Sequence, residues 1–558
     1  MTDVHRADLF VAASDTALDM ATEAVEHLEQ VHLHQNLYRN TLERKNQNRN
    51  TLPNPFQSFN PSHAQKEMNI ALHCNAVSCF SQFTNLYCAN HSALIDEDRD
   101  LPPLSDVSLD PFSQEYQDMV IDAVHLHDSR NLSTVQKTEL ESLIRKYAHV
   151  FMLPGAPFRG VTYVEHSIET GDAEPQYTTP YSHSPAQLNL IKQEIHKMLE
   201  QNILEPSTSP WGAPCLLVKT KTEHGLQVAP RLVWDYRKLN KVTKPDVYPL
   251  PHVQMILDQL GGKTWFTKLD LFSGFWHIPI ASQDKEKTAV ITHVGLYQFK
   301  KLPFGLRNAP ASFQRLMNCT FADMLFPADE QPYLSTYVDD ILRHSTNWRD
   351  HLIHLERVLA RCDKVGLSLK PSKCSFANNS QEFLGYVISE QGRQPASSKI
   401  ESAASFPRPT CKSDVQKVHV LAGYYREPIP NFAATSFNLR ELLKNQVIFR
   451  WRNQEQKEFD TLKRALCSDK VLLHHPNWNN DFIVQTDASS KGLGAVLSQI
   501  GPDNKEHPVR YASRALQPPE SKWTTREQEL LAVIWACETF HRYLWGRKFF
   551  IQTHHANL

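Results

Sequence analysis

The chain lacks any run of about 18 apolar residues, the length a membrane-spanning helix needs, so no membrane partner is expected. Its first residues, MTDVHRADLF, mix acidic and basic side chains with no apolar segment behind them and do not read as a secretory signal. An excess of charge of either sign is also missing: 59 Lys and Arg against 61 Asp and Glu leave −2. A nucleic-acid surface must then be a local basic groove, because phosphates are held by clustered Lys and Arg rather than by a basic average. The ten cysteines show no pairing pattern and fit a reduced, intracellular compartment, cytoplasmic or nuclear. Cys74, Cys79, Cys88 and His91 offer four zinc donors at a spacing that matches no common structural zinc motif; plain buried cysteines are the blander reading. A nucleotide-binding phosphate loop is absent too. GGKTW at 261–265 would need a glycine five residues before Gly262, and Leu257 stands there.

What is present is a chain too long, at 558 residues, for one core; at roughly 150 residues per domain it suggests three or four domains. Residues 1–130 read as poorly organised, with short helices and linker. SDTALDMATEAVEHLEQ puts Leu18, Ala21, Val25 and Leu28 on one helical face that soon dissolves into polar residues. KNQNRNTLPNPFQSFNPSH is polar and proline-interrupted. Order rises over 131–205. In HSPAQLNLIKQEIHKMLEQN, Ser184 is an N-cap, Pro185 opens the helix and Gln187 completes a capping box. Leu188, Ile191, Ile195, Met198 and Leu199 form its buried face. Strand-like runs, PCLLVKT and RLVWDY, then alternate with helical patterns such as HVQMILDQL, which makes the fold class α+β.

STYVDDILRHS at 335–345 sets Asp339 beside Asp340 among apolar residues. Burying two like charges costs several kcal/mol each unless a cation compensates. The residues alone leave two readings open, a divalent-metal site or an acidic turn in water. In WFTKLDLFSGFW, strand alternation puts Phe266, Lys268 and Asp270 on one face, with Phe275 shortly after. Asp270 is thus a third carboxylate available to meet the other two. Three carboxylates around two Mg²⁺ ions about 3.5–4 Å apart suit in-line phosphoryl transfer, and hard oxygen donors suit Mg²⁺. Lys219, Lys221 and Arg231, on a strand–turn–strand segment, are candidates to close over a triphosphate, with solvated surface charge as the alternative.

The segment from Tyr163 to Tyr386 resembles the reverse transcriptase of gypsy-type (Metaviridae) LTR retrotransposons, motif after motif and in order. ILEPSTSPWGAPCLLVK and RLVWDYRKLNKVT resemble the fingers, KLDLFSGFWHIPI the first palm motif, and LPFGLRNAPASFQRLMN the template- and nucleotide-contacting segment with Gly305, Asn308, Pro310 and Phe313. YVDD resembles the palm hairpin, GLSLKPSKC the next motif, and FLGY the primer grip. The resemblance implies a right-hand polymerase: fingers and palm over 206–388 and thumb and connection over 389–478. It implies Asp270, Asp339 and Asp340 as catalytic metal ligands for two Mg²⁺, with Mn²⁺ able to substitute. It implies nucleotide binding by Lys219, Lys221, Arg231, Phe275 and Gly305, with the Phe275 ring excluding a ribose 2′-hydroxyl. Lys373, near Lys370, is implied as general acid, and Phe383, Leu384, Gly385 and Tyr386 as primer grip. The implied partners are an RNA and DNA template–primer and dNTPs; a homodimer is left open by the sequence.

Residues 479–558 resemble a ribonuclease H domain. FIVQTDASSKGLGAVLSQ supplies Asp487 and TTREQELLAVIWACETFHRYLWGRKFFIQTHHANL supplies Glu529, but His554 stands where the family has an Asp in a TDH triplet. Imidazole brings no negative charge and suits softer metals than Mg²⁺. A truncated, inactive ribonuclease H-like domain is therefore expected. Two further departures, Arg343–His344 after the palm aspartates and Glu427–Pro428 after YYR, raise a competing reading: a catalytically decayed remnant that only binds nucleic acid or protein. On this reading Arg343 and His344 either face solvent or mark relaxed selection. The bulky Phe275 disfavours an RNA-dependent RNA polymerase.

Overall fold

The computed structural model describes residues 110–126, 131–153, 156, 158–218, 230–328, 330–468 and 472–553, and the backbone of a two-residue strand, Val11–Ala12. The zinc candidates, the 18–28 helical face, Lys219, Lys221 and His554 lie outside the described residues. The chain divides into two compact units between Leu384 and Gly385.

In the first unit the helix Pro185–Glu200 starts as its sequence dictates. Ser184 Oγ accepts the Gln187 N–H at 3.4 Å and Gln187 Oε1 accepts the Ser184 N–H at 2.9 Å. Ile191, Ile195 and Met198 are buried, while Leu188 and Leu199 are only half-buried. A five-stranded sheet follows, in the order Leu204–Pro206, Gly295–Phe299, Val290–Thr292, Ala213–Val218, Arg231–Trp234. The runs PCLLV and RLVW lie in its last two strands, paired antiparallel with Cys215 opposite Trp234.

A four-stranded sheet carries the aspartates, in the order Ser375–Asn378, Trp265–Asp270, Asp340–Ser345, Leu334–Tyr337. Helices Ala309–Thr320 and Trp348–Val365 pack against it. The second is capped by Asn347, whose Oδ1 accepts the Asp350 N–H at 2.9 Å, and ends at Gly366 with φ +80°. Its buried residues, His351, Leu355, Val358, Leu359 and Cys362, recur at helical spacing on one stripe.

This sheet corrects the expectation for Arg343 and His344. Both are fully buried rather than solvent-facing. Arg343 donates to Tyr333 O at 3.2 Å, to Asp350 O at 2.8 Å and to His354 Nδ1 at 2.9 Å. Burial pushes its guanidinium down to about 9 and, with Arg343 adjacent, His354 down to about 4. His344 Nε2 meets Ser335 Oγ at 3.1 Å. Beside them His351 bridges Thr267 Oγ1 (2.8 Å) and Ser345 Oγ (3.0 Å). These hydrogen bonds anchor Arg343 and His344 in the sheet, although Arg343 Nε and His344 Nδ1 find no partner among the described residues.

The second unit holds a sheet strand pair, Tyr386–Ser389 with Gly392–Pro395, and helices Lys412–Tyr424 and Asn453–Leu466. It continues into a sheet ordered Val11–Ala12, Phe549–Thr553, Phe482–Ser489, Gly492–Ile500, Glu506–Ala515. Helix Thr525–Leu544 covers one face, where Phe482, Val484, Leu497, Val509, Phe540 and Tyr543 form the core. Glu427, one of the two departures noted above, joins this sheet to the preceding segment. Its carboxylate lies 3.1 Å from Arg510 and 3.7 Å from the fully buried Arg393, and its C=O accepts the Tyr511 N–H.

Candidate active site

Tyr337 pairs with Asp340 across the palm hairpin, leaving Val338 and Asp339 as its two-residue turn. Val338 has φ +53°, an outlier for a β-branched residue that costs on the order of 1–3 kcal/mol and persists only where surroundings enforce it. The enforcing group is Gln314, fully buried in helix Ala309–Thr320. Its Oε1 accepts the Val338 N–H at 2.8 Å, and its own amide is held by Asn318 Oδ1 at 2.9 Å.

The neighbouring strand supplies the third carboxylate. Trp265–Asp270 pairs antiparallel with Asp340–Ser345 in a register that sets Asp270 directly opposite Asp340; such partners hold their Cβ atoms about 4.5–5.5 Å apart. Enclosure first, then the charges of Asp340 and Asp270, push the partly buried Asp339 up to about 7. Lys268, on the same face as Asp270, places Nζ 3.1 Å from Asp340 Oδ1. Burial works against its ammonium, but Asp340, Asp270 and Glu382 outweigh it and hold Lys268 above its ordinary value.

Among the described residues no three His, Cys, Asp or Glu side chains stand arranged as a ready metal cage. The donor set nevertheless suits Mg²⁺: hard carboxylate oxygens, crowded enough that one is held toward its neutral form, gain from a cation between them.

A tight turn follows Asp270. Ser273 has φ +47°, and a Cβ on Gly274 would stand 3.4 Å from Asp339 Cβ and from the Phe313 ring. Buried His277 locks it, donating from Nδ1 to Gly274 O and accepting the Ser368 N–H at Nε2, both 3.0 Å. Only the neutral imidazole can do both, and burial pushes His277 down to about 4. Phe275 is half-buried, its ring 5.1 Å from Phe304 and 5.3 Å from Phe313. Gly305, at φ +95°, offers its C=O to Asn240 Nδ2 at 2.8 Å.

Arg231 starts its strand opposite Val218. Lys373 ends the one-turn helix Pro371–Lys373, tethered beneath the site because Lys370 N–H donates to Asp270 O at 2.9 Å. Leu384 and Gly385, both at positive φ (51° and 76°), form the turn at which the two units divide; Phe383 and Tyr386 on either side are buried. In the other unit Asp487 is exposed opposite Gly494, whereas Glu529 is buried in helix Thr525–Leu544. Sequence reasoning missed Gln314, Gly274 and His277 and gave Lys268 no role. A glutamine on the apolar stripe of a helix was the one readable signal.

The palm hairpin, its neighbouring strand and the sheet–helix unit that follows define a chain of the reverse transcriptase class. The family described as "Reverse transcriptase (RNA-dependent DNA polymerase)" matches residues 221–388, and "RNase H-like domain found in reverse transcriptase" matches 451–551. Within that class the chain is similar to the Pol polyproteins of gypsy-type retrotransposons. It is 35% identical over 430 residues to the Pol polyprotein from transposon 412 of Drosophila melanogaster and 34% over 439 residues to that from transposon gypsy, covering 77% and 76% of this chain. It spans 34% and 41% of those relatives' own lengths. The foamy viral protease-reverse transcriptase has a similar fold. Its complex with dsDNA matches at TM-score 0.67 and 23% identity over 79% of this chain and 88% of that one; its complex with RNA/DNA hybrid matches at 0.65 and 23% over 78% and 56%.

Proposed function

We propose that the chain is an RNA-directed DNA polymerase that extends a primer 3′-hydroxyl with dNTPs on a nucleic-acid template. The observation that carries this reading is the register that sets Asp270 opposite Asp340, with Asp339 held beside them in an enforced turn. Asp270, Asp339 and Asp340 would hold two Mg²⁺, or Mn²⁺ in their place. Bound there, the ions lower the pKa of the attacking hydroxyl and neutralise the triphosphate. Gln314 and the Gly274–His277 turn keep Asp339 aimed at that position. On this reading Phe275, its ring backed by Phe304 and Phe313, excludes a ribose 2′-hydroxyl. Arg231, with Lys219 and Lys221, neutralises the triphosphate, and Lys373 delivers the proton to the departing pyrophosphate. Phe383 to Tyr386 support the primer strand. Affinity for the template–primer rests on phosphate contacts and falls with salt.

The ribonuclease H-like domain is inactive on this reading, since His554 replaces a carboxylate. The remnant reading loses ground because Arg343, His344 and Glu427 have defined partners. Primer extension on poly(rA)–oligo(dT) with Mg²⁺ or Mn²⁺ tests the proposal, beside an Asp339→Asn control. Extension lost in the control supports it; no extension by the wild-type chain sinks it.

A further inference from the structure

The polymerase reading gives Lys268 no role. Lys268 lies two residues before Asp270 on the same strand face, so its side chain points to the side that carries the carboxylates. Its backbone partner across the hairpin is Leu342, and its ammonium reaches diagonally to Asp340 Oδ1 at 3.1 Å. Both side chains are largely withdrawn from water, 22% and 20% exposed, which puts the pair in a setting where charge interactions are little screened. After Asp340 and Asp270, Glu382 also attracts the Lys268 ammonium; it is exposed, on the strand Ser380–Phe383 that packs against Trp265–Asp270.

We propose that Lys268 is a built-in competitor for the metal ions: it occupies one oxygen of Asp340 in the ion-free enzyme, must yield that oxygen when a divalent cation enters, and then turns to Glu382. The pair gives the site a threshold. An ion must displace an ammonium as well as shed water, so Lys268 sets how much metal the enzyme needs. Lys268 is a positioning residue here, acting through Asp340, and the inference rests on the metal-site reading proposed above.

Mn²⁺ binding to the full chain, counted by electron paramagnetic resonance without nucleotide or nucleic acid, separates the two. Lys268→Met removes the charge at similar length and is expected to bind Mn²⁺ roughly tenfold more tightly, the scale of removing one like charge from a partly screened site. Lys268→Arg keeps the charge and is expected to remain near wild type. Glu382→Gln deprives the ammonium of its second anchor and is expected to weaken Mn²⁺ binding about two- to threefold. Mn²⁺ affinity unchanged or weaker in Lys268→Met overturns the competitor role while leaving the metal site standing. If Lys268→Met does not fold, unchanged affinity in Glu382→Gln overturns it instead. Wild-type protein that binds no Mn²⁺, or whose binding survives Asp339→Asn, overturns both readings.

Discussion

Two sheets in this chain carry acidic residues on neighbouring elements, and they treat them differently. In the palm, Asp270 and Asp340 are direct cross-strand partners, Asp339 occupies an enforced turn, and Lys268 is drawn in to offset the crowding. In the ribonuclease H-like sheet, Phe482 and Val484 face the covering helix, so Asp487, at odd spacing from them, belongs to the opposite face and is exposed. Glu529 is buried within that helix. Carboxylates forced together need a cation.

The largest effect that would break this contrast is on catalysis. Asp339→Asn is expected to cut primer extension on the order of 10³-fold, whereas Asp487→Asn leaves both extension and hybrid degradation where they were. Rapid degradation of an RNA–DNA hybrid by the purified chain, lost in Asp487→Asn, would erase the distinction. Next is Phe275→Ala, expected to relax discrimination against ribonucleotides by roughly 10–100-fold, read from kcat/KM for matched dNTP and rNTP. Equal discrimination in mutant and wild type removes the ring from the nucleotide site.

Gln314→Leu tests the turn rather than the chemistry. It leaves the buried Val338 N–H unpaired, at about 1–3 kcal/mol, and chemical denaturation should show that loss together with reduced extension. The smallest effect concerns pH. Asp339 is raised above its unfolded value to about 7, so the native state binds its proton more tightly than the unfolded chain. Metal-free protein should be stabilised at low pH and lose that contribution as pH rises from about 4 toward 7. Buried histidines such as His277 and His354, held down near 4, tilt the whole-protein profile the other way, so the readout is a difference: the melting temperature of wild type relative to Asp339→Asn should fall across this range, and that fall should shrink when Mn²⁺ is added to the wild type.

Much of the palm was legible because its signals are local. The alternation in WFTKLD already placed Lys268 and Asp270 on one face, and the Ser184–Gln187 capping box foretold a helix start to the residue. Arg343 and His344 were misread because a charged pair after an acidic turn looks like solvent-exposed sequence. Their partners, Tyr333, Ser335, Asp350 and His354, come from an adjacent strand and a helix whose approach no local pattern reveals. Glu427 stood out only as a charge where the family continues with apolar residues, and its arginines lie far along the chain in both directions.

By itself the sequence determined the order of motifs, the residue types at the palm and the substitution of His554 for a carboxylate, since these are properties of neighbours along the chain. The tertiary structure alone decided that Asp270 faces Asp340, that Gln314 holds the Val338 turn and that Lys268 sits on an aspartate. Strand register and helix docking are settled by which faces can be buried together, and burial is a property of the folded assembly that no single segment carries.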